Sequence, residues 1–312
     1  MRLVSRFKMA AVSLALAAGV FAGSAEAKGP PYKIFLSMSY IGNDWQAESA
    51  NMLKAMAAHK SLRDKVDLRV QVAGASAQKQ IQQINAMVAA GADAIIMYAI
   101  SDTLLNAAVK NACDKGVVVF TYDSPITEPC AYQTTIDQVA LGKESGEWLA
   151  KAMNYKGNAV LVVGVPGTPV DTIRTREAKA VLAKYPDIKI IAELPGMWSQ
   201  AVARAELSKL LATHPWEEIN GLWMQVGCYT AGAMQEEAGI PDEKKIPCAG
   251  EGSNGHRLQM LPKDTEIEGA GGAYRPMGYP SISIASPTYE GGLALKLAVK
   301  VLEGGDVPKM TV

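Results

Sequence analysis

Two short strings in this chain place a charged side chain where an apolar run ends. In GVVVFTYD, residues 116–123, Asp123 closes a β-branched run and stands just before Ser124 and Pro125, so a carboxylate is predicted at the exit of a strand, free to accept from hydroxyls or to shape a turn. In GVPGTPVDTIR, residues 164–174, Arg174 follows a Gly/Pro-rich exit; its planar guanidinium can hold paired oxygens in fixed geometry. The competing use of Arg174 is an ion pair with Asp171 or Glu177, and Arg176 replaces it if the register differs by two residues. Trp45 offers an apolar ring face just after Gly42, Asn43 and Asp44. Asn43 and Asp44 can bond hydroxyls, cap the helix that follows, or do both. Glu251 sits between Gly250 and Gly252, where missing side chains let the backbone come close to a small molecule. Asn254 and Gln225 add amides, and Trp198, after Pro195 and Gly196, is a second ring face or a core residue.

The elements that must position these groups alternate. Short β-branched runs at 33–38, 68–72, 94–98, 117–122, 159–163, 188–193, 221–225 and 245–249 read as strands, several of them near-continuous apolar runs as expected of strands buried on both faces. Between them, Ile81, Ile84 and Val88, and then Leu141, Trp148, Leu149 and Ala152, keep a helical period. Gly91, Gly116, Gly157 and Gly239 fall just past such stretches, where a chain leaves a helix through positive φ. The expected class is α/β with parallel sheet. A Gly/Pro/Ser/Tyr-rich stretch from Gly269 to Pro287 reads as a functional loop or a passage between lobes.

Residues 1–27 carry Arg2, Arg6 and Lys8, an apolar stretch from Met9 to Phe21, and small residues Ala25 and Ala27, the pattern of a secretory signal peptide cut near Ala27. The chain has 31 basic and 31 acidic residues, and a near-neutral remainder argues against nucleic acid as a partner. Cys113, Cys130, Cys228 and Cys248 allow three pairings in an oxidising compartment. Cys113 with Cys130, flanking one strand unit, and Cys228 with Cys248 are favoured over four buried thiols. His59, His214 and His256 are too scattered for a metal set or a triad, and the latter two are expected at the surface. No phosphate-loop or dinucleotide spacing occurs, so no cofactor is expected. A helix-turn-helix regulator is excluded where the N-terminus reads as an export signal.

The order of elements, together with GNDW (42–45), AGADAIIM (90–97), GVVVFTYD and GVPGTPVDTIR, resembles the type I periplasmic sugar-binding proteins, the ribose- and galactose-binding family of ABC importers. The resemblance covers nearly all of the chain after residue 27. It implies two doubly wound parallel-sheet lobes joined by a hinge of three crossing segments: 28–136 plus 287–308, and 137–286 plus 309–312. Ligand is held between them at the carboxyl ends of strands. It also implies that Trp45, Asp123, Arg174 and Glu251 contact a sugar or sugar alcohol. Asp137 would lie in the first passage as contact or hinge, Tyr98 at a strand end, and Ser286 on the third crossing. The chain is expected to act as a monomer and to hand its solute to a membrane permease, not to catalyse. A secreted enzyme and a sensor coupled to a chemoreceptor or kinase are the alternatives. Two departures stand out. Gln225–Tyr229 replaces an Asn-Asp pair, and residues 309–312 supply only the start of a returning strand.

Overall fold

The structure is a computed structural model and describes residues 29–250, 252–284 and 286–312. The first half opens with β1 (Tyr32–Met38), α1 (Asp44–Ala58), β2 (Val66–Val72), α2 (Ala77–Ala89) and β3 (Ala94–Tyr98), then α3 (Asn106–Asp114), β4 (Val118–Tyr122) and β5 (Tyr132–Thr134). The second half runs α4 (Gln138–Ala152), β6 (Gly157–Val163), α5 (Pro169–Leu182), β7 (Ile188–Pro195), α6 (Gln200–Leu211) and β8 (Gly221–Met224). It continues through α7 (Cys228–Glu237), β9 (Cys248–Gly250), α8 (Asn254–Met260) and β10 (Ser281–Ser283). α9 (Glu290–Leu302) and β11 (Met310–Thr311) close the chain.

Two sheets form, in the orders β11-β5-β4-β3-β1-β2 and β10-β9-β8-β6-β7. Every strand pairing within them is parallel, as the unbroken apolar runs predict. β1, β3 and β6 are the clearest cases, because Ile34, Leu36, Ile96, Leu161 and Val162 are wholly buried between layers of helices. On one face of the first sheet, Leu53 of α1 and Leu295 and Val299 of α9 pack onto Leu36 and Phe120. On the other, Ile84, Met87 and Val109 cover Phe35, Ile95 and Val119. Gly91 and Gly116 leave their helices at φ 75° and 79°, values that a side chain would oppose.

Both favoured disulfides form. Cys113–Cys130 ties the end of α3 to the segment before β5, and Cys228–Cys248 ties the start of α7 to β9. They close loops of 17 and 20 residues, each worth about 3 kcal/mol when the unfolded chain is constrained over such a length.

Among the described residues the chain passes between the sheets after Thr134 and again after Ser283, two passages where the resemblance implies three. The end of the chain corrects a second expectation. β11 pairs with β5, Met310 opposite Gln133 and Thr311 opposite Thr134, so residues 309–312 run with the first sheet and not the second. Contacts remote in sequence hold it there: Lys309 sits over the Tyr132 ring with its ammonium 3.7 Å from the centroid, and its Nζ donates to the Cys130 carbonyl.

Candidate functional site

Both sheets present their carboxyl ends to one gap, and the loops leaving those ends carry the polar groups. Asp123 follows β4 at φ 53°, a left-handed conformation that a non-glycine residue adopts at a cost of about 1–3 kcal/mol. Hydrogen bonds hold it there. The Thr135 hydroxyl donates to its carbonyl at 3.0 Å, and its Oδ1 accepts from Ser286 Oγ at 2.6 Å and from Gln138 Nε2 at 2.9 Å. Arg174, on α5, brings its guanidinium to 3.6 Å from the same oxygen and donates from Nε to Gln138 Oε1 at 2.7 Å. Arg174 is 2 % exposed and Asp123 3 %, so this pair is shielded from water, where charge–charge interaction is strongest.

The second lobe answers with Trp198. Met197 and Trp198 take φ of 55° and 50°, turning the indole onto Gly164, where a Cβ would lie 2.2 Å from Nε1. Only glycine fits beneath that ring. The indole N–H donates to Gln225 Oε1 at 2.8 Å. Gln225 in turn donates to Asp171 Oδ1 at 2.8 Å and to Thr175 Oγ1 at 2.9 Å. Burial pushes the Asp171 carboxyl above its ordinary range, opposed by the Gly164 N–H, Thr175 and Gln225.

The lobes touch through Asn43. Its Oδ1 caps α1 by accepting from the Gln46 N–H at 2.9 Å, while its Nδ2 donates across the gap to the Trp198 carbonyl at 3.0 Å. Trp45 lies beside Tyr98, ring centroids 6.0 Å apart, and donates from Nε1 to the Ser286 carbonyl at 2.7 Å. Asn43 thus caps its helix and bridges the two lobes.

The candidates divide between two adjoining spaces. Asn43, Trp45, Tyr98, Asp123, Arg174 and Trp198 line an inner chamber of about 20 Å³, room on the scale of a single water. Asp44, Asn254 and Ser286 line an outer cleft of about 810 Å³, which shares Asn43, Trp45 and Trp198 with the chamber and adds Tyr229, Arg257 and Tyr274. Two candidates, Asp137 and Gln225, sit elsewhere. Asp137 is exposed and caps α4 by accepting from the Ala140 N–H at 2.9 Å, because a helix-start side chain turns back to the free N–H groups. Gln225 faces inward, its amide engaged with Trp198, Asp171 and Thr175. Glu251 lies outside the described residues. Trp198 is 5 % exposed and packs with Val165 and Val170, so it is a fixed wall rather than an open platform. His256, expected at the surface, is 1 % exposed, its Nε2 against Ser281 Oγ. Burial lowers its pKa to about 4.

Two residues of the network escaped sequence reasoning. Gln138 follows the chosen Asp137 by one position, and one step along a helix start exchanges an outward for an inward side chain. Glu290 opens α9 four residues after Ser286, and the turn between them folds the two side chains together. Its buried carboxyl lies 3.1 Å from Ser286 Oγ.

Residues 34–306 match the family described as periplasmic binding protein domain. The xylitol-binding protein of Mycolicibacterium smegmatis is 29% identical over 163 residues, 51% of this chain and 46% of the relative, so the chain spans about half the length of that protein. The galactofuranose-binding protein YtfQ of Escherichia coli is 26% identical over 254 residues, 78% of this chain and 74% of the relative. Among solved structures, an ABC transporter solute binding protein from Thermobispora bispora superposes with TM-score 0.76 at 25% identity, covering 90% of this chain and 83% of the other. A galactofuranose binding protein shares the fold, with TM-score 0.76 at 21% identity over 90% of this chain and 92% of its own.

Proposed function

The chain belongs to the periplasmic binding protein family, and from that premise we propose that its interlobe cleft binds a sugar or sugar alcohol and delivers it, unconverted, to the membrane permease of an ABC importer. The observation that carries this reading is the meeting of Trp45, Asp123 and Arg174 on one cavity between the sheets. A sugar offers a face of C–H groups and a rim of hydroxyls, and a site for it needs a ring face together with planar groups that bond adjacent hydroxyls. A chamber of about 20 Å³ is far too small for a monosaccharide. Binding therefore requires the lobes to part at the Asn43–Trp198 contact and close again over the ligand. A ligand touching both walls stabilises the closed form by the contacts it makes only there. Support for a sugar or polyol also comes from the relatives named for xylitol and galactofuranose.

Family membership places the chain in the periplasm. The finer expectations stand with this reading: cleavage near Ala27, in residues outside those described; a monomer; one lobe of 28–136 with 287–308, and another of 137–286. A thermal-shift plate of pentoses, hexoses in both ring forms and polyols tests the reading, with amino acids and purine nucleosides as controls. A carbohydrate at a hundred times its Kd adds about 2.7 kcal/mol to stability, a plainly readable shift. A response confined to the amino acids or nucleosides overturns the ligand class, and steady product formation from a hit would make the protein an enzyme.

A further inference from the structure

We propose that Glu290, in the first turn of α9, is held as a neutral carboxylic acid that donates its proton to Ser286 Oγ, so that Glu290, Ser286 and Asp123 form a directed relay fixing the second passage beneath the Trp45 platform. A single hydroxyl hydrogen decides the direction. Ser286 Oγ lies 2.6 Å from Asp123 Oδ1 and 3.1 Å from Glu290 Oε1, yet a hydroxyl carries a single proton. The shorter contact claims it, because Asp123 carries the negative charge that the Arg174 guanidinium faces. The longer contact is then a hydrogen bond only if Glu290 supplies the hydrogen. The rest of its surroundings agree. Glu290 is 4 % exposed, and its Oε2 has no hydrogen-bond partner; an ionised oxygen left bare in an apolar interior is far costlier than a neutral one.

The groups acting on Glu290 come from β4, from α5 and from the second passage. Asp123, at the end of β4, repels its charged form; the Ser286 side chain, Arg174 of α5 and the Asp123 backbone N–H partly offset that; Tyr122, on β4, is buried and itself raised by burial. Burial first, and Asp123 second, push the Glu290 carboxyl up to about 9. The carbonyl of Ser286 receives the Trp45 indole N–H, so the relay reaches the ring face without Glu290 touching a ligand. Glu290 is a positioning residue. This assignment builds on the reading of the cleft as a carbohydrate site, but its test needs no carbohydrate.

An ordinary glutamate in the unfolded chain titrates near about 4.3. Between that value and about 9 the folded state holds one proton more than the unfolded state. Stability from this group is therefore greatest at low pH and is lost as pH rises, the folding equilibrium constant falling about tenfold per pH unit. The experiment follows glutamate side-chain carboxyl resonances by carbon-13 NMR in the ligand-free full-length protein purified from the periplasm, from pH 5 to 10. The Glu290 signal is assigned by its absence in Glu290→Gln. The expected result is one resonance titrating near about 9 and a melting temperature that declines less steeply with pH in Glu290→Gln, whose amide can still donate to Ser286, than in the wild type. Glu290→Ala should be less stable than Glu290→Gln throughout. A Glu290 resonance already ionised at pH 7 overturns the proposal, as does an unchanged slope in Glu290→Gln. If that variant does not fold, Ser286→Ala, which displaces the same resonance, supplies the assignment. An empty carbohydrate plate and an ionised Glu290 are separate outcomes, the first against the ligand and the second against the relay.

Discussion

The inner chamber and the outer cleft adjoin, share Asn43, Trp45 and Trp198, and are built on opposite principles. In the chamber the polar side chains are engaged largely by other protein groups. Asp123 meets Ser286, Gln138 and Arg174, and Trp198 meets Gln225, which is itself held by Asp171 and Thr175. Those residues are nearly all buried. The outer cleft is lined by Asp44, Glu48, Asn254 and Arg257, all solvent-exposed, whose contacts include peripheral ones such as Thr288 to Glu48 at 3.1 Å and Arg257 to Ser283 at 3.2 Å. The difference separates two tasks. A buried, low-dielectric network fixes donors and acceptors on each wall, so that a ligand entering between parted lobes meets groups already oriented, whereas a wet rim guides entry and tolerates change.

The sharpest way to break that comparison is Arg174→Ala. Removing one partner of a buried charge pair leaves the other uncompensated, a loss of about 3–5 kcal/mol in stability. Ligand affinity should fall about tenfold or more, since about 1.4 kcal/mol is one decade. Urea unfolding and calorimetry with a carbohydrate that responds in the plate measure the two effects. If Arg174→Ala behaves like a surface change in both, the chamber is not the functional part of the gap.

Much of the fold was legible because strands buried on both faces must be apolar throughout. β1, β3, β4 and β6 announced themselves in this way, and helices between them followed from period. β5, β10 and β11 carry two or three residues each, too few for any pattern; they are strands only because a neighbour's edge is there to receive them. The site divides in the same manner. Asp123, Arg174 and Trp45 were readable as chemically distinctive side chains at predicted strand exits. Gln138 and Glu290 were not, because their roles depend on which way the first turn of a helix faces once two passages lie side by side. Gln225 was read as a ligand contact on its residue type, and only packing revealed that Trp198 occupies its amide. The lobe assignment of residues 309–312 failed because the partner of a two-residue strand is chosen by contacts distant in sequence, here with β5.

A smaller effect sharpens the boundary between the two spaces. Asn43 belongs to both, and its two bonds are separable. Asn43→Ala removes the α1 cap and the bridge to Trp198, at about 0.5–2 kcal/mol. Asn43→Asp keeps an acceptor for the Gln46 N–H but has no N–H to offer the Trp198 carbonyl. Unfolding of the two variants should show the cap restored in Asn43→Asp. Small-angle scattering of the ligand-free protein should show both shifted toward the open form, because the bridge exists only when the lobes meet.

The smallest effect is expected at Arg257, and it tests the comparison from the other side. Its guanidinium is charged, lines the cleft and is solvent-exposed, so residue type alone would rank it with Arg174. Surroundings reverse that ranking. Water competes for its donors, its Nε donates to the neutral Ser283 hydroxyl, and exposed charges away from a buried network seldom move stability beyond about 0.5 kcal/mol. Arg257→Ala should leave the melting temperature nearly unchanged and alter carbohydrate affinity by no more than about twofold, with any change concentrated in the association rate and diminished by added salt, as for a charge at a rim. Stopped-flow fluorescence at two ionic strengths reads both quantities. A tenfold loss carried by the dissociation rate would place the bound carbohydrate against α8 in the outer cleft and reverse the assignment of binding to the chamber.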